Sequence, residues 1–586
     1  MTGFMLSPKL LYSFTALLIL LSFTANSQVA IRLSQPSKDQ SNVNTSRQYI
    51  AGRTCVGCKL TINNDTVHVY STGTFAAKYD LNTGRNNFTI TATSPDNQTT
   101  TRNVTFYYNP VPAPVATQAF RIDFMEITPS GNLQLMPGDT LNIRLKAQPG
   151  QTATWINNQP LKELPASQSG GVPGYYSGTY ILQPGDSLLN GKILAKLRNA
   201  GGSITTLAST YRYSMLRNEL PFTGRTIDNM TYLVASPFGD RLGPDKIGYL
   251  DKDVLLHIVG KQNDYYKIRL SANHYAYIPE PLVDTEIPQE ELSVSVAEDA
   301  KTWSDEKFDY VSVGLSDRLP YLSTQRVEDR KIIVDIHGAY ADKALSTALE
   351  RTREIKSIAW GQPFPDVCRL VISLKHDPWG YLVYYDNNRL VVRVKRQPEK
   401  LALNNLVIGL DAGHGGSNPG ATGLTGAVEK QWTLLLALQL KSLLEREGAT
   451  VLMSRTTEKF VPNEDRLSFF RRADPDILLS IHFNSSVNPV DVSGTANYYK
   501  QPFCEPLNAA IHARLLETGL KDFGNNGNFN FILNNPTEFP DALIETLFLS
   551  NPGDEEKLLQ PAFQQLIVEK IVQGLKDYLQ KLKAQR

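Results

Sequence analysis

The sequence predicts a multidomain protein in which strand-rich, all-β modules are followed by a C-terminal α/β domain with a mostly parallel sheet. Three observations carry that expectation. The chain has 586 residues, several times the roughly 100–200 of one domain. Up to about residue 396, short runs of alternating apolar and polar residues are broken by Gly, Asn, Ser and Pro, the pattern of strands and turns. From Leu406 onward strands alternate instead with long helical patterns, as in parallel sheets covered by helices. Hydrophobic residues make up 41% and charged residues 20%, a globular profile that argues against bulk disorder. With 59 Lys and Arg against 58 Asp and Glu the net charge is +1, so no nucleic-acid partner is expected.

Residues 1–27 read as a signal peptide. Lys9 precedes the apolar run Leu10–Phe23, and Ala25-Asn26-Ser27 puts small residues where a signal peptidase cuts, with Gln28 as the mature start. The run is short for a membrane span, although an uncleaved anchor is the alternative. Nothing later has transmembrane length, so an exported protein of the periplasm or bacterial cell envelope is expected.

Residues 28–109 carry strand-like runs such as Thr66–Tyr70 and Asn87–Thr91, and Asn109–Pro114 is a stiff Pro-rich linker. In residues 115–216, Ile156-Asn157-Asn158, Gly178-Thr179-Tyr180 and Leu182–Gly185 echo Ile62-Asn63-Asn64, Gly73-Thr74-Phe75 and Leu81–Gly84 at an offset of about one hundred. That repeat predicts two diverged immunoglobulin-like β-sandwiches. Residues 220–284, with Thr231–Val234 and Asp253–Val259, resemble a small SH3-like barrel of the bacterial cell-wall type. Residues 292–396 supply further strands, including Lys331–Ile336 and Arg389–Val394. Four Cys are too few for a disulfide framework; Cys55 and Cys58 read as a local disulfide rather than a redox pair, and Cys368 and Cys504 as buried thiols. His68, His257, His274, His337 and His376 are scattered singly and read as packed or surface residues.

In residues 404–586, Leu406–Leu410, Val451–Met453 and Ile477–Ile481 are apolar strands. Val428–Arg446 is a helix with Leu434, Leu435, Leu438 and Leu443 near helical spacing. Pro561–Leu582 is an amphipathic closing helix with Phe563, Leu566, Ile567, Ile571, Leu575 and Leu579 on its apolar face.

Ligands of such sheets sit beyond the carboxyl ends of the strands. There His414 follows the first strand in Asp411–Gly416, His482 ends another in Ser480–Asn484, and Glu429 opens the first helix. Two His and one Glu offer zinc three ligands and leave a fourth position for water, as in catalytic sites. Glu545 is a second carboxylate that can serve as the base. His512, in a helical pattern, reads as a surface residue. Each piece has a bland counterpart: a Gly-His-Gly turn can serve backbone geometry, a Glu in a first helical turn answers the helix dipole, and a His can cap a strand.

Together these elements resemble the catalytic domain of zinc-dependent N-acetylmuramoyl-L-alanine amidases. The likeness runs from about Leu406 to Leu582 through Asp411–Gly416, Gly420, Glu429-Lys430, Arg466, Ser480–Asn484 and Leu543–Pro552. It implies one zinc held by His414, Glu429 and His482, and Glu545 as catalytic carboxylate, taking a proton from water and returning it to the leaving amine. It also implies peptidoglycan as the partner, cut at the amide between N-acetylmuramic acid and L-alanine. Residues 292–396 then look like the envelope-targeting domain often attached to such enzymes, and the β modules offer surfaces for envelope or division proteins. Departures from the family pattern are Thr433 in place of Asn, Leu547 in place of Gly, and Asn534 where an Arg often stands. Only 62 residues lie between His482 and Glu545, little room for an occluding helix, so an open site is expected. Two other readings remain: a wall-binding adaptor with an inactive domain, and a zinc peptidase cutting within the stem peptide.

Overall fold

The computed structural model describes residues 29–215, 221–239, 242, 243, 245–289, 294–342, 349 and 351–586, and the expected signal peptide lies outside them. Among the described residues no helix is long and apolar enough to cross a membrane, and every α-helix lies after residue 428.

Residues 29–108 share one core, contributed by a three-stranded sheet (Arg32–Gln35, Arg47–Arg53, Thr74–Asp80) and a five-stranded one. Cys55 and Cys58 form a disulfide, and Cys368 and Cys504 are buried free thiols. A second core, around Trp155, Tyr176 and Leu197, lies in residues 120–215. The two stretches repeat one turn: Asn63, Asn64, Asn157 and Asn158 all have φ between 50° and 74°, a left-handed conformation that Asn tolerates at hairpin tips.

Further along, the stretches are not sealed from one another. Leu133–Leu135 pairs with both Tyr213–Met215 and Leu255–Gln262, so one ten-stranded sheet continues into residues 220–284. A single core then combines Leu256, Ile258 and Ile268 with Val311, Ile332 and Val392. Residues 220–284 and 292–396 thus bury their apolar faces against each other.

In residues 404–586 the elements are β1 (Val407–Ala412), α1 (Glu429–Arg446), β2 (Thr450–Met453), α2 (Asn463–Ala473), β3 (Ile477–Asn484), β4 (Thr495–Tyr498), α3 (Glu505–Leu516), β5 (Asp522–Asn526), β6 (Asp541–Phe548), α4 (Pro552–Leu558) and α5 (Pro561–Ala584). The strand order is β2-β1-β3-β6-β4-β5. β1 pairs in parallel with β2 and β3, β3 with β6, and β4 with β5, whereas β4 is antiparallel to β6.

Strand side chains alternate between faces, and this alternation builds the site. Ile477, Leu479, Ile481 and Phe483 of β3 enter the core shared with α1, α3 and α5. Leu478 faces the other way and packs with Leu467 and Phe470 of α2. Ser480 and His482 share the face of Leu478. In register beside them stand Asp411 of β1, opposite Ser480, and Glu545 of β6, opposite His482. Polar residues of three adjacent strands therefore meet on one face.

α1 lies differently from expectation. Its buried stripe is Glu429, Thr433, Leu436, Ala437, Leu440 and Leu444, whereas Leu435 and Leu438 are 37% and 39% exposed. A helix with seven Leu in 18 residues has two apolar stripes to choose from. The rotation adopted buries three Leu, each contributing about 1.5–3 kcal/mol, and carries Glu429 inward on the same stripe. α5 buries a wider face than expected, since Val568 and Val572 join Ile567, Ile571, Leu575 and Leu579. His512, expected on the surface, is only 7% exposed; it lies on the buried side of α3, with Nε2 2.9 Å from Asp522 Oδ1. Pairing with a carboxylate at the domain edge lets the ring be buried.

Candidate metal centre and catalytic cleft

The four residues singled out from the sequence come together on the cleft face of the sheet. His414 Nε2 and His482 Nδ1 each lie 3.0 Å from Glu429 Oε1, and one ligand atom from each residue falls within 4.8 Å of the other two. Glu429 is anchored further: Ala421 N donates to Oε2 at 2.7 Å and Phe483 N to Oε1 at 3.0 Å. His414 Nδ1 lies 3.1 Å from Asn418 Oδ1. That contact orients the ring so that Nε2 faces Glu429.

Two glycines make this closeness possible. A Cβ on Gly413 would lie 2.3 Å from the His482 ring, and one on Gly420 2.4 Å from Glu429 Oε2. Gly420 also has φ +69°, which L side chains disfavour. His414 itself adopts φ 60°, a left-handed conformation that persists only where its surroundings enforce it. Arg466 does so, donating to the carbonyl of His414, to Ala412 O at 2.7 Å and to Asp411 Oδ1 at 2.7 Å. Ser480 Oγ holds the other Asp411 oxygen at 2.8 Å.

The electrostatics separate the two glutamates. Burial opposes the charge of Glu429, yet hydrogen bonds from His414 and His482 outweigh it and hold its pKa well below the usual carboxylate range. For His482 burial also opposes charge, but Glu429 raises its pKa to about 9. Glu545 has no such compensation: its Oε2 is buried without a hydrogen-bond partner. Burial pushes its pKa up to about 7, with His482 opposing and Glu429 adding to the shift.

Sequence reasoning missed Arg455. It is 1% exposed and donates to the carbonyls of Ala412, Gly413 and Lys430 at 2.8 Å each and to Thr433 Oγ1 at 2.9 Å. Thr433 donates in turn to Gly413 O at 2.7 Å, so this departure from the family pattern still braces the His414 loop. All that marked it in the sequence was a basic residue two places past the end of β2. Asn534, another departure, is 1% exposed and donates to Tyr498 O at 3.1 Å; it holds the backbone and does not enter the cleft.

The cleft has a volume of about 700 Å³, and Phe460, Val461, Phe531, Ile532 and Leu533 supply walls around His414, His482 and Glu545. α3, the one α-helix between His482 and Glu545, packs its buried face into the core with α5, on the far side of the sheet. A larger cavity of about 1190 Å³ lies where residues 246–251, 318–328 and 499–506 meet. It contains none of the four residues, so the smaller cleft is where the chemistry belongs.

Two imidazoles and one carboxylate around an open side are the donor set of a catalytic zinc site, and these residues fit such an ion. A family model described as N-acetylmuramoyl-L-alanine amidase matches residues 408–577. The chain is 32% identical over 238 residues to the "Probable cell wall amidase LytH" of Staphylococcus saprophyticus, covering 38% of this chain and 77% of that protein. It is 34% identical over 184 residues to the Staphylococcus epidermidis protein of the same description, covering 30% of this chain and 59% of that one. A solved structure similar to it is the catalytic domain of CwlV, an N-acetylmuramoyl-L-alanine amidase from Bacillus (Paenibacillus) polymyxa var. colistinus, with 30% identity, 30% of this chain and 98% of that chain covered, and a TM-score of 0.29. By the family match and by the relative of which it covers more than three quarters, the chain belongs to the N-acetylmuramoyl-L-alanine amidase family.

Proposed function

We propose that the protein is a peptidoglycan hydrolase of the cell envelope that cleaves the amide between N-acetylmuramic acid and the L-alanine of the stem peptide. The observation that carries this reading is the convergence of His414 Nε2, His482 Nδ1 and Glu429 Oε1, with Glu545 in register beside His482. His414, Glu429 and His482 would hold one zinc ion. Bound there, zinc supplies Lewis acidity, which lowers the pKa of water and polarises a carbonyl.

The chain's own residues do the rest. Glu545, with a pKa near 7, is matched to accepting a proton from the attacking water and releasing it to the departing alanine amine. Its unpartnered Oε2 is available for that exchange. Arg455 and Arg466 hold the loop that carries His414, so the ligand geometry is set before substrate arrives. Phe460 and Phe531–Leu533 shape the walls of the cleft and limit water around the scissile amide. The strand-rich region before residue 400 serves as wall-binding and envelope-contacting surface.

Mass spectrometry of peptidoglycan digested with the protein tests the reading. Intact stem peptides beginning with L-alanine, released beside intact glycan, are the expected products. Peptides shortened internally would instead make the protein a zinc peptidase, and binding without cleavage would make it a wall-binding adaptor.

A further inference from the structure

The wall formed by Phe531, Ile532 and Leu533 belongs to the catalytic domain by sequence, but much of its support comes from elsewhere. The segment contains a single short 3-10 turn, Ile532–Asn534, and joins the antiparallel edge of the sheet through a loop. Asn530, 5% exposed, sits directly before it. Its backbone N–H donates to Leu242 O at 2.9 Å, its side-chain amide donates to Gly243 O, and its Oδ1 accepts from Lys500 Nζ. Lys500 Nζ also donates to Lys246 O at 2.5 Å. Leu242 and Gly243 therefore engage the backbone and the side chain of Asn530, and Lys246 reaches it through Lys500.

A second contact reaches the same segment from below. Met230 packs against the cluster of Leu467, Phe470, Leu478, Leu533 and Phe539, in which Ile532 also takes part. A side chain from residues 220–284 thus completes a small apolar core beneath the cleft wall. The two contacts are independent: the first is polar and centred on the buried Asn530, and the second comes from the half-buried Met230, which packs on the apolar cluster while its Sδ accepts from Arg471 Nη1 at 2.7 Å.

We infer that residues 220–284 are a positioning part of the catalytic cleft: they brace Phe531–Leu533 in the place where substrate lies, through Met230 and the clamp on Asn530. This goes beyond a wall-binding role for the upstream region. Its kinetic arm rests on the amidase reading and its structural arm does not. A braced wall acts on substrate binding, while Glu545 and the His414, Glu429 and His482 cluster do not touch Met230 or Asn530. Loosening the wall should therefore raise KM and leave kcat and metal content alone.

The test compares full-length wild type with Met230→Ala, Met230→Leu and Asn530→Ala. Amide hydrogen exchange is followed across residues 529–535 and 477–484, beside steady-state kinetics on a defined muramoyl-peptide. Met230→Ala and Asn530→Ala should speed exchange across 529–535 about tenfold or more, because local opening no longer breaks the clamp, with 477–484 unchanged. KM should rise about three- to tenfold, with kcat within about twofold. Met230→Leu conserves volume and should restore both readouts. Unchanged exchange across 529–535 in both disrupting variants overturns the inference. So does faster exchange with KM unchanged, because the wall would then be braced but idle. A global rise in exchange from Met230→Ala leaves the decision to Asn530→Ala. If wild type leaves the muramoyl-peptide uncut, the amidase reading fails and the exchange arm alone decides whether these residues brace the wall.

Discussion

Glu429 and Glu545 are carboxylates of one cleft, and their surroundings treat them in opposite ways. Glu429 is 3% exposed, and its two oxygens meet two imidazoles and two backbone N–H groups. Glu545 stands on β6 beside His482, with a buried oxygen that meets nothing. Partners lower the first pKa, whereas burial, with a smaller push from Glu429, raises the second. Equal side chains are thus suited to the different work the proposed function gives them: a charged metal ligand in one case, a group that exchanges a proton near neutrality in the other.

The sharpest way to break this comparison is to remove a member of the first cluster. Glu429→Ala and His482→Ala should each lose bound zinc and with it all measurable turnover, checked by metal analysis beside kinetics. Full hydrolysis by protein in excess chelator would sink the metal-dependent reading. The next effect in size is Glu545→Gln, which keeps shape but cannot take a proton. Zinc should stay near one per chain while kcat falls by about 10²–10⁴-fold, mainly without a change in KM. Zinc lost from this variant would make Glu545 a ligand, and unchanged turnover would make it a structural carboxylate.

Two further carboxylates extend the series. Asp411 is 1% exposed, paired with the equally buried Arg466 at 2.7 Å; despite burial, Arg466 holds its pKa down. It is neither ligand nor base in this scheme. Arg466→Met should destabilise the catalytic domain by about 3–5 kcal/mol, since an unpaired charge stays buried, as read from denaturant unfolding. An unchanged midpoint would mean that Asp411 finds another partner. Asp491 is exposed and meets Lys78 of the first stretch at 3.0 Å. Solvent screens such a pair, so Lys78→Ala should change turnover by less than about twofold. A larger loss would show that this outer contact also bears on the cleft.

Much of the site was legible because its residues are strand ends and a helix start. Leu406–Leu410 and Ile477–Ile481 are apolar runs that stop at polar residues, and period-two alternation carries Asp411, Ser480, His482 and Glu545 to one face. Arg455 was not legible, because four of its five hydrogen-bond partners are backbone carbonyls, which leave no mark in residue types. The buried stripe of α1 was ambiguous for another reason: Leu434, Leu435 and Leu438 compete with Leu436, Leu440 and Leu444 on hydropathy alone. The clamp on Asn530 was hidden as Arg455 was, since its partners in residues 242–246 are all carbonyl oxygens.

By itself the sequence determined the change from strand-rich to α/β architecture and the identity of the two His and two Glu that meet. The first comes from local periodicity, and the second from a donor chemistry that few residue types supply, singled out here by the resemblance to the amidase family. Only the tertiary structure decided which face α1 buries, which arginines hold the His414 loop, and that residues 220–284 share a core with residues 292–396 and reach the cleft wall. These depend on contacts between distant segments, made largely through backbone atoms and apolar surface. Such atoms are the same in every residue or interchangeable among many, so no pattern along the chain encodes them.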